Sequence, residues 1–211
     1  MARHYEGCCV KRPPGIALRL ALASIAAWFG EYLAQAADLT ITNVNQNVTS
    51  NSPFIPTGSP SQLSWAAINA ALASGPVSVT TAGSPITGSD NIIIATSSPV
   101  MNSGNSLTIS AGNVLTINSG STIVNNGTGS LKLQGGTTVI NTNIAVTGSL
   151  TIIGPIMLGS DIILTASSVN FNSTVDGSHN LTVNGSAFLT GAVGGAQALA
   201  SLTLQNACSL N

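Results

Sequence analysis

The sequence predicts an all-β protein wound as a parallel β-helix with a short helical insert or cap, and three observations carry that prediction. First, triplets that alternate apolar, other, apolar recur along the chain: Leu107-Thr108-Ile109, Leu115-Thr116-Ile117, Leu131-Lys132-Leu133, Leu150-Thr151-Ile152, Leu181-Thr182-Val183 and Leu202-Thr203-Leu204. Each puts two side chains on one face and one on the other, the strand period of two. Second, triplet starts near 107, 115, 123, 131, 139, 144, 150, 156, 162, 169, 175 and 181 lie five to eight residues apart. That spacing is too tight for an antiparallel sandwich, whose turns recur about every 8 to 12 residues. Third, Thr128-Gly129-Ser130-Leu131 returns as Thr147-Gly148-Ser149-Leu150 at an offset of 19, and GSDNIIIATSS from Gly88 is echoed by GSDIILTASS from Gly159. A repeat of about that length is one turn of a three-faced solenoid.

Taken in order, residues 1–37 form a signal peptide. A basic leader carries Arg3, Lys11, Arg12 and Arg19, an apolar run of eleven follows from Leu20 to Gly30, and Ala34-Gln35-Ala36 supplies small residues for cleavage near Ala36. A membrane span needs about 20 apolar residues, and Arg19 and Glu31 bracket a shorter run. No transmembrane span is therefore expected in the mature chain. Cys8 and Cys9 leave with the leader, so Cys208 is the one thiol left and no internal disulfide can form.

Residues 38–76 comprise a first strand from Asp38 to Thr42, a loop carrying Pro53, Pro56 and Pro60, and the helical segment SQLSWAAINAALASG. Ser61 or Ser64 caps that helix, Trp65, Ile68 and Leu72 recur at helical spacing, and Gly75-Pro76 stops it. Its apolar stripe is expected to pack on the first coils and cover their open end, where bare strand edges invite aggregation. The repeats occupy 77–204, with Leu107, Ile109, Leu131, Leu150, Ile152, Ile163, Leu181 and Val183 pointing inward, and residues 205–211 form a tail. Stacking places each apolar side chain over its equivalent in the next coil, and asparagine can bond along the stack in the same way.

Composition narrows the function. Charged residues make up 5% of the chain, against about 25% in an ordinary soluble domain, and Gly, Asn, Ser and Thr fill 91 of 211 positions. Beyond residue 37, Lys132 stands against Asp38, Asp90, Asp161 and Asp176, a net charge of −3. Nucleic acid is not expected as a partner, because binding phosphates needs clustered cations. Polysaccharide lyase or hydrolase sites cluster acids, often beside Arg or Lys. Here Asp161 and Asp176 fall on neighbouring faces at best, and His179 sits alone in the turn Asp176-Gly177-Ser178-His179-Asn180. No catalytic, cofactor-binding or metal-ligating residue is assigned, and no cofactor is expected. Asn47, Asn126, Asn172, Asn180 and Asn184 begin Asn-x-Ser/Thr triplets, which are possible glycan acceptors.

The run STVDGSHNLTVNGSAFLTGAVGG from Ser173 to Gly195, followed by LASLTL from Leu199 to Leu204, resembles the repeats of filamentous-hemagglutinin-like bacterial exoproteins, and WAAINAALASG from Trp65 to Gly75 is similar to their helical insert. The resemblance covers most of residues 38–204. It implies a right-handed β-helix, export through outer-membrane secretion machinery, and a non-enzymatic structural or adhesive role at the cell surface or after secretion, with a host-surface receptor or glycan as partner. The chain lacks the Asn-Pro-Asn-Leu and Asn-Pro-Asn-Gly motifs of two-partner secretion domains, and it resembles an N-terminal piece or a truncated reading frame. The alternative is a carbohydrate-active or carbohydrate-binding parallel β-helix. Sugar stacking favours Trp or Tyr, and the body holds Trp65 alone.

Overall fold

The computed structural model describes residues 38–210 apart from Thr87 and Ser98. The expected signal peptide, with its cleavage point near Ala36, lies outside the described residues. Within them, short parallel strands stack into a solenoid of about eight turns with one short helix. All named strands pair in parallel. Antiparallel pairing is confined to the isolated bridges Gln46–Gln62 and Val48–Pro56.

Three faces run along the stack. Face A holds β1 (Leu39–Thr42), β2 (Ser61–Ser64), β4 (Ile92–Ile94), β7 (Val114–Ile117), β10 (Thr137–Ile140), β13 (Ile156–Leu158) and β15 (Val175–Asp176). Face B holds β5 (Val100–Met101), β8 (Ile123–Asn125), β11 (Ile144–Val146) and β17 (Ser201–Leu204); face C holds β3 (Val77–Thr80), β6 (Leu107–Ser110), β9 (Leu131–Gln134), β12 (Ser149–Ile153) and β18 (Cys208–Leu210). Two ten-residue strands, β14 (Ile162–Phe171) and β16 (Asn180–Leu189), run through faces B and C in turn. Their pairing shifts register between Thr165 and Ser168. At that corner a Cβ on Gly185 would run into the Ala166 carbonyl oxygen of the coil above, so only glycine fits.

The coil length is not constant. Along face C, Val77 stands over Leu107, Leu107 over Leu131, Leu131 over Leu150, Leu150 over Val169 and Val169 over Ala187. The steps shorten from 30 residues to 24 and then to 18 or 19 as loops between strands shrink. The 19-residue repeat at Thr128 and Thr147 is thus a true stacking period, joining β9 to β12. The echo between Gly88 and Gly159 is not one, since the first copy leads into β4 on face A and the second into β14 on face B. Both are local solutions to entering a strand.

The core is a column of Ile, Leu and Val. Leu107, Ile109, Leu131, Leu150, Ile152, Leu181 and Val183 are all at most 1% exposed, as the alternation predicts. Ile163 departs from the expectation. It is 43% exposed, whereas Ile162 and Leu164 on either side are buried. With three consecutive apolar residues the alternation leaves phase undecided, and pairing of Ile162 with Leu181 and Leu164 with Val183 sets it.

Of the two caps that the sequence offers, Ser61 and Ser64, the helix uses Ser64. Ser61–Ser64 extends face A as β2, paired with β1, and α1 covers Trp65–Leu72. Ser64 is the N-cap, its Oγ accepting from the Ala67 backbone N–H at 3.1 Å. A helix of eight residues is marginal alone, and packing supplies what is missing: Trp65, Ile68 and Leu72 are buried. Trp65 Nε1 and Asn69 Nδ2 both donate to the Val100 carbonyl, at 3.1 and 2.9 Å. Helix α1 thus covers the outer end of face B, beside β5. The strand expected from Asp38 is present as β1 and pairs with β4, so it belongs to the same sheet as the repeats. Beyond residue 204, Cys208–Leu210 forms a last strand against β16.

Candidate functional site

Parallel stacking turns equivalent residues of successive coils into rows about 4.8 Å apart. On the outside of face C one row reads Ser78, Thr108, Lys132, Thr151, Asn170 and Phe188. A second reads Ser149, Ser168 and Ser186, and Ser149 Oγ lies 2.9 Å from Ser130 Oγ. Asparagines bond along the stack as expected: Asn113 Nδ2 donates to Asn91 Oδ1 at 3.1 Å, and Asn126 Nδ2 to Asn102 Oδ1 at 3.0 Å. The body's single lysine is one member of such a row.

The titratable residues are dispersed. Asp161 leads into β14 on face B, while Asp176 lies in β15 on face A, the neighbouring-face placement that the sequence allowed. Asp161 Oδ1 accepts from the Asn180 backbone N–H at 3.0 Å and Oδ2 from Asn180 Nδ2 at 2.9 Å. Asn180 Oδ1 in turn accepts from Ser201 Oγ at 2.7 Å, so acid, amide and hydroxyl stack over three coils. His179 Nδ1 lies 3.6 Å from Asp161 Oδ1 on the surface. The Asn180 backbone N–H, then the Asn180 amide, and lastly His179 hold the Asp161 carboxyl below its usual range. An acid, a histidine and a serine do meet here. The Ser201 proton, however, is given to Asn180, which leaves a turn-bracing chain and not a nucleophile with its base.

Asp176 is 6% exposed. Its Oδ1 accepts from the backbone N–H groups of Ala196 at 2.8 Å and Gln197 at 3.1 Å, and those of Gln197 and then Ala196 hold its carboxyl below the ordinary value. This is a structural carboxylate that ties down the 194–200 turn, a role its sequence position did not signal. Asp38 Oδ1 likewise accepts from the Asn91 backbone N–H, and the Asp90 carbonyl accepts from Asn113 N–H. Among the described residues no group of three or more His, Cys, Asp or Glu lies together as a metal site would require. No helix among them is long and apolar enough to cross a membrane.

One concavity is absent from the sequence reading. A groove of about 390 Å³ runs between the C-terminal half of α1 and residues 100–105, lined by Asn69, Leu72, Ala73, Val100, Asn102, Ser103, Gly104 and Asn105. Ser103 Oγ and Asn105 Nδ2 both donate to the Leu72 carbonyl, at 3.1 and 2.8 Å, and so fasten the groove's wall to the helix end. Its lining is uncharged amide, hydroxyl and aliphatic. It could accept a neutral, hydroxyl-rich ligand and offers no acid–base pair. Trp65, the one Trp or Tyr among the described residues, is 6% exposed and committed to the core. Comparison with known proteins finds no matching family model, no similar curated protein and no similar solved structure.

Proposed function

We propose that the chain is a non-enzymatic structural or adhesive module of an exported bacterial surface protein, similar to the filamentous-hemagglutinin-like exoproteins, with its leader removed near Ala36. The observation that carries this reading is the pairing of a continuous solenoid core with outer faces made of repeated Ser, Thr and Asn rows. Such a body presents many equivalent weak contacts along its length instead of one pocket, which suits attachment through multivalency. A host-surface receptor or glycan is the partner in this reading, and outer-membrane secretion machinery delivers the chain. Asp161 and His179 meet at a turn that they brace, and Asp176 is bound on another face to the Ala196 and Gln197 N–H groups; this supports a role without catalysis, because general acid–base work needs titratable groups that converge on one bond.

The test has two arms. N-terminal sequencing of protein recovered from the cell surface or medium should begin just after Ala36; an intact Met1 on exported protein overturns the export reading. Alanine replacement of Asp161 and His179 together should leave cell adherence unchanged. If the parent chain cleaves a polysaccharide and this variant does not, the module is an enzyme. A second reading, a carbohydrate-binding β-helix, is favoured by the neutral groove beside α1. Asn69→Ala with Asn102→Ala should then abolish retention on a neutral polysaccharide column.

A further inference from the structure

The five Asn-x-Ser/Thr triplets, at Asn47, Asn126, Asn172, Asn180 and Asn184, are alike in sequence and unlike in the fold. A glycan joins such a triplet through Nδ2 of its asparagine, so that nitrogen must be free to face solvent, ordinarily from a surface turn. Four of the five nitrogens are already engaged. Asn47 Nδ2 donates to the Pro60 carbonyl at 2.8 Å, Asn126 Nδ2 to Asn102 Oδ1 at 3.0 Å, Asn180 Nδ2 to Asp161 Oδ2 at 2.9 Å and Asn184 Nδ2 to Thr165 Oγ1 at 3.3 Å. The last three bonds each join one coil to the next, and Asn180 and Asn184 also lie within strand β16. A transferase can reach these nitrogens only after a bond that braces the fold has broken.

Asn172 differs. It is exposed, and among the described residues its side chain makes no hydrogen bond. It follows β14 at the corner where face C gives way to face A, and Ser173 and Thr174 complete the triplet in the turn before β15. The backbone of that turn is fixed. Asn172 N–H donates to the Ile152 carbonyl at 3.0 Å, and the Thr174 carbonyl accepts from Ile156 N–H at 2.9 Å. Gly191 of the next coil lies so close to the Ser173 backbone that a Cβ there would collide with it. A firmly held turn thus presents an uncommitted amide.

We propose that Asn172 is a glycan-acceptor site, taking a sugar activated as a diphosphate ester. Nδ2 forms a bond to the anomeric carbon of the sugar, the bond from that carbon to the diphosphate oxygen breaks, and the diphosphate leaves with the electron pair. One Nδ2 proton passes to a base of the transferase. This chain supplies the nitrogen and the Thr174 hydroxyl by which the triplet is recognised. No bond between coils is lost, so the modified chain keeps the same stack. The site is independent of the adhesive and export readings, since it depends on the turn alone.

The experiment maps the full chain from whole cells of its native host, so a failure of export does not hide the result. After chymotrypsin digestion, mass spectrometry with fragmentation that retains sugars should find a glycan on Asn172 and none on Asn47, Asn126, Asn180 or Asn184. A single sugar there marks a nucleotide-linked donor and a preassembled oligosaccharide a lipid-linked one; either supports the site. Asn172→Gln and Thr174→Ala should each abolish the added mass, and Thr174→Ser should keep it. A bare Asn172, a glycan on any of the other four asparagines, or a modified Asn172 that survives Thr174→Ala each overturns the proposal.

Discussion

Asn125 is the polar residue on which one corner of the solenoid turns. It is 2% exposed, and all four of its amide valences are met: Nδ2 donates to the carbonyls of Gly129 and Ser103, and Oδ1 accepts from the N–H groups of Ser103 and Gly127. Asn125→Leu keeps the volume but strands three backbone groups, the N–H groups of Ser103 and Gly127 and the Gly129 carbonyl, whereas the Ser103 carbonyl still accepts from Gly129 N–H, so unfolding in denaturant should show a loss of about 3 kcal/mol. Thr138 is the opposite case. It is fully buried, and its Oγ1 has no hydrogen-bond partner. Thr138→Val keeps the shape and removes the unpaired hydroxyl, so the same measurement should show a gain of about 1 kcal/mol. Sequence could not separate these two residues, because both sit in runs of β-type and turn-type residues. What distinguishes them is which neighbouring coil supplies a backbone partner. Ile163 makes the same point for apolar residues, since Ile162-Ile163-Leu164 fits either phase until Leu181 and Val183 fix the pairing.

Elements were legible where their signal is local. Triplets of Leu, Thr and Ile announce strands because side-chain alternation is a property of the strand itself. Ser64 was legible as one of two possible helix caps, but the strand Ser61–Ser64 was not announced, because it extends only through pairing with β1. The groove beside α1 was equally hidden: Asn69 and Asn102 are far apart in sequence, and asparagine is too common here to stand out. The 194–200 turn depends on a single carboxylate, Asp176, whose folded-state pKa is lowered by the N–H groups of Gln197 and Ala196. A lowered carboxyl contributes stability above its unfolded value of about 3.9, and that contribution is lost as pH falls toward the lower folded value. Amide exchange at Ala196 and Gln197, corrected for intrinsic rates, should therefore hold steady from about pH 7 to 5 and accelerate below about 4. Asp176→Asn should flatten that dependence, because an amide oxygen still accepts both bonds but does not titrate. An unchanged acid limb in the variant would assign it to another group.

At the scale of the whole molecule, the sequence conveyed the architecture because a solenoid repeats one local decision many times. It conveyed the layering less well, because coils of 18 to 30 residues stack in register while their loops absorb the difference. Stability in such a stack is a sum of coil terms and nearest-neighbour terms, so a defect is felt mainly by the coils beside it. Ile152 lies fully buried between Leu133 and Phe171 of the adjoining coils. Ile152→Ala should cost about 2–5 kcal/mol in global unfolding, and native-state hydrogen exchange should show where that loss is spent. Amides of β9, β12 and β14 should lose protection, because β9 and β14 are the strands that flank β12. Amides of β1, β3 and β4, beneath α1 and the Gln46 bridge, should keep most of theirs. Uniform loss across all coils would instead mean that the solenoid unfolds as a single cooperative block.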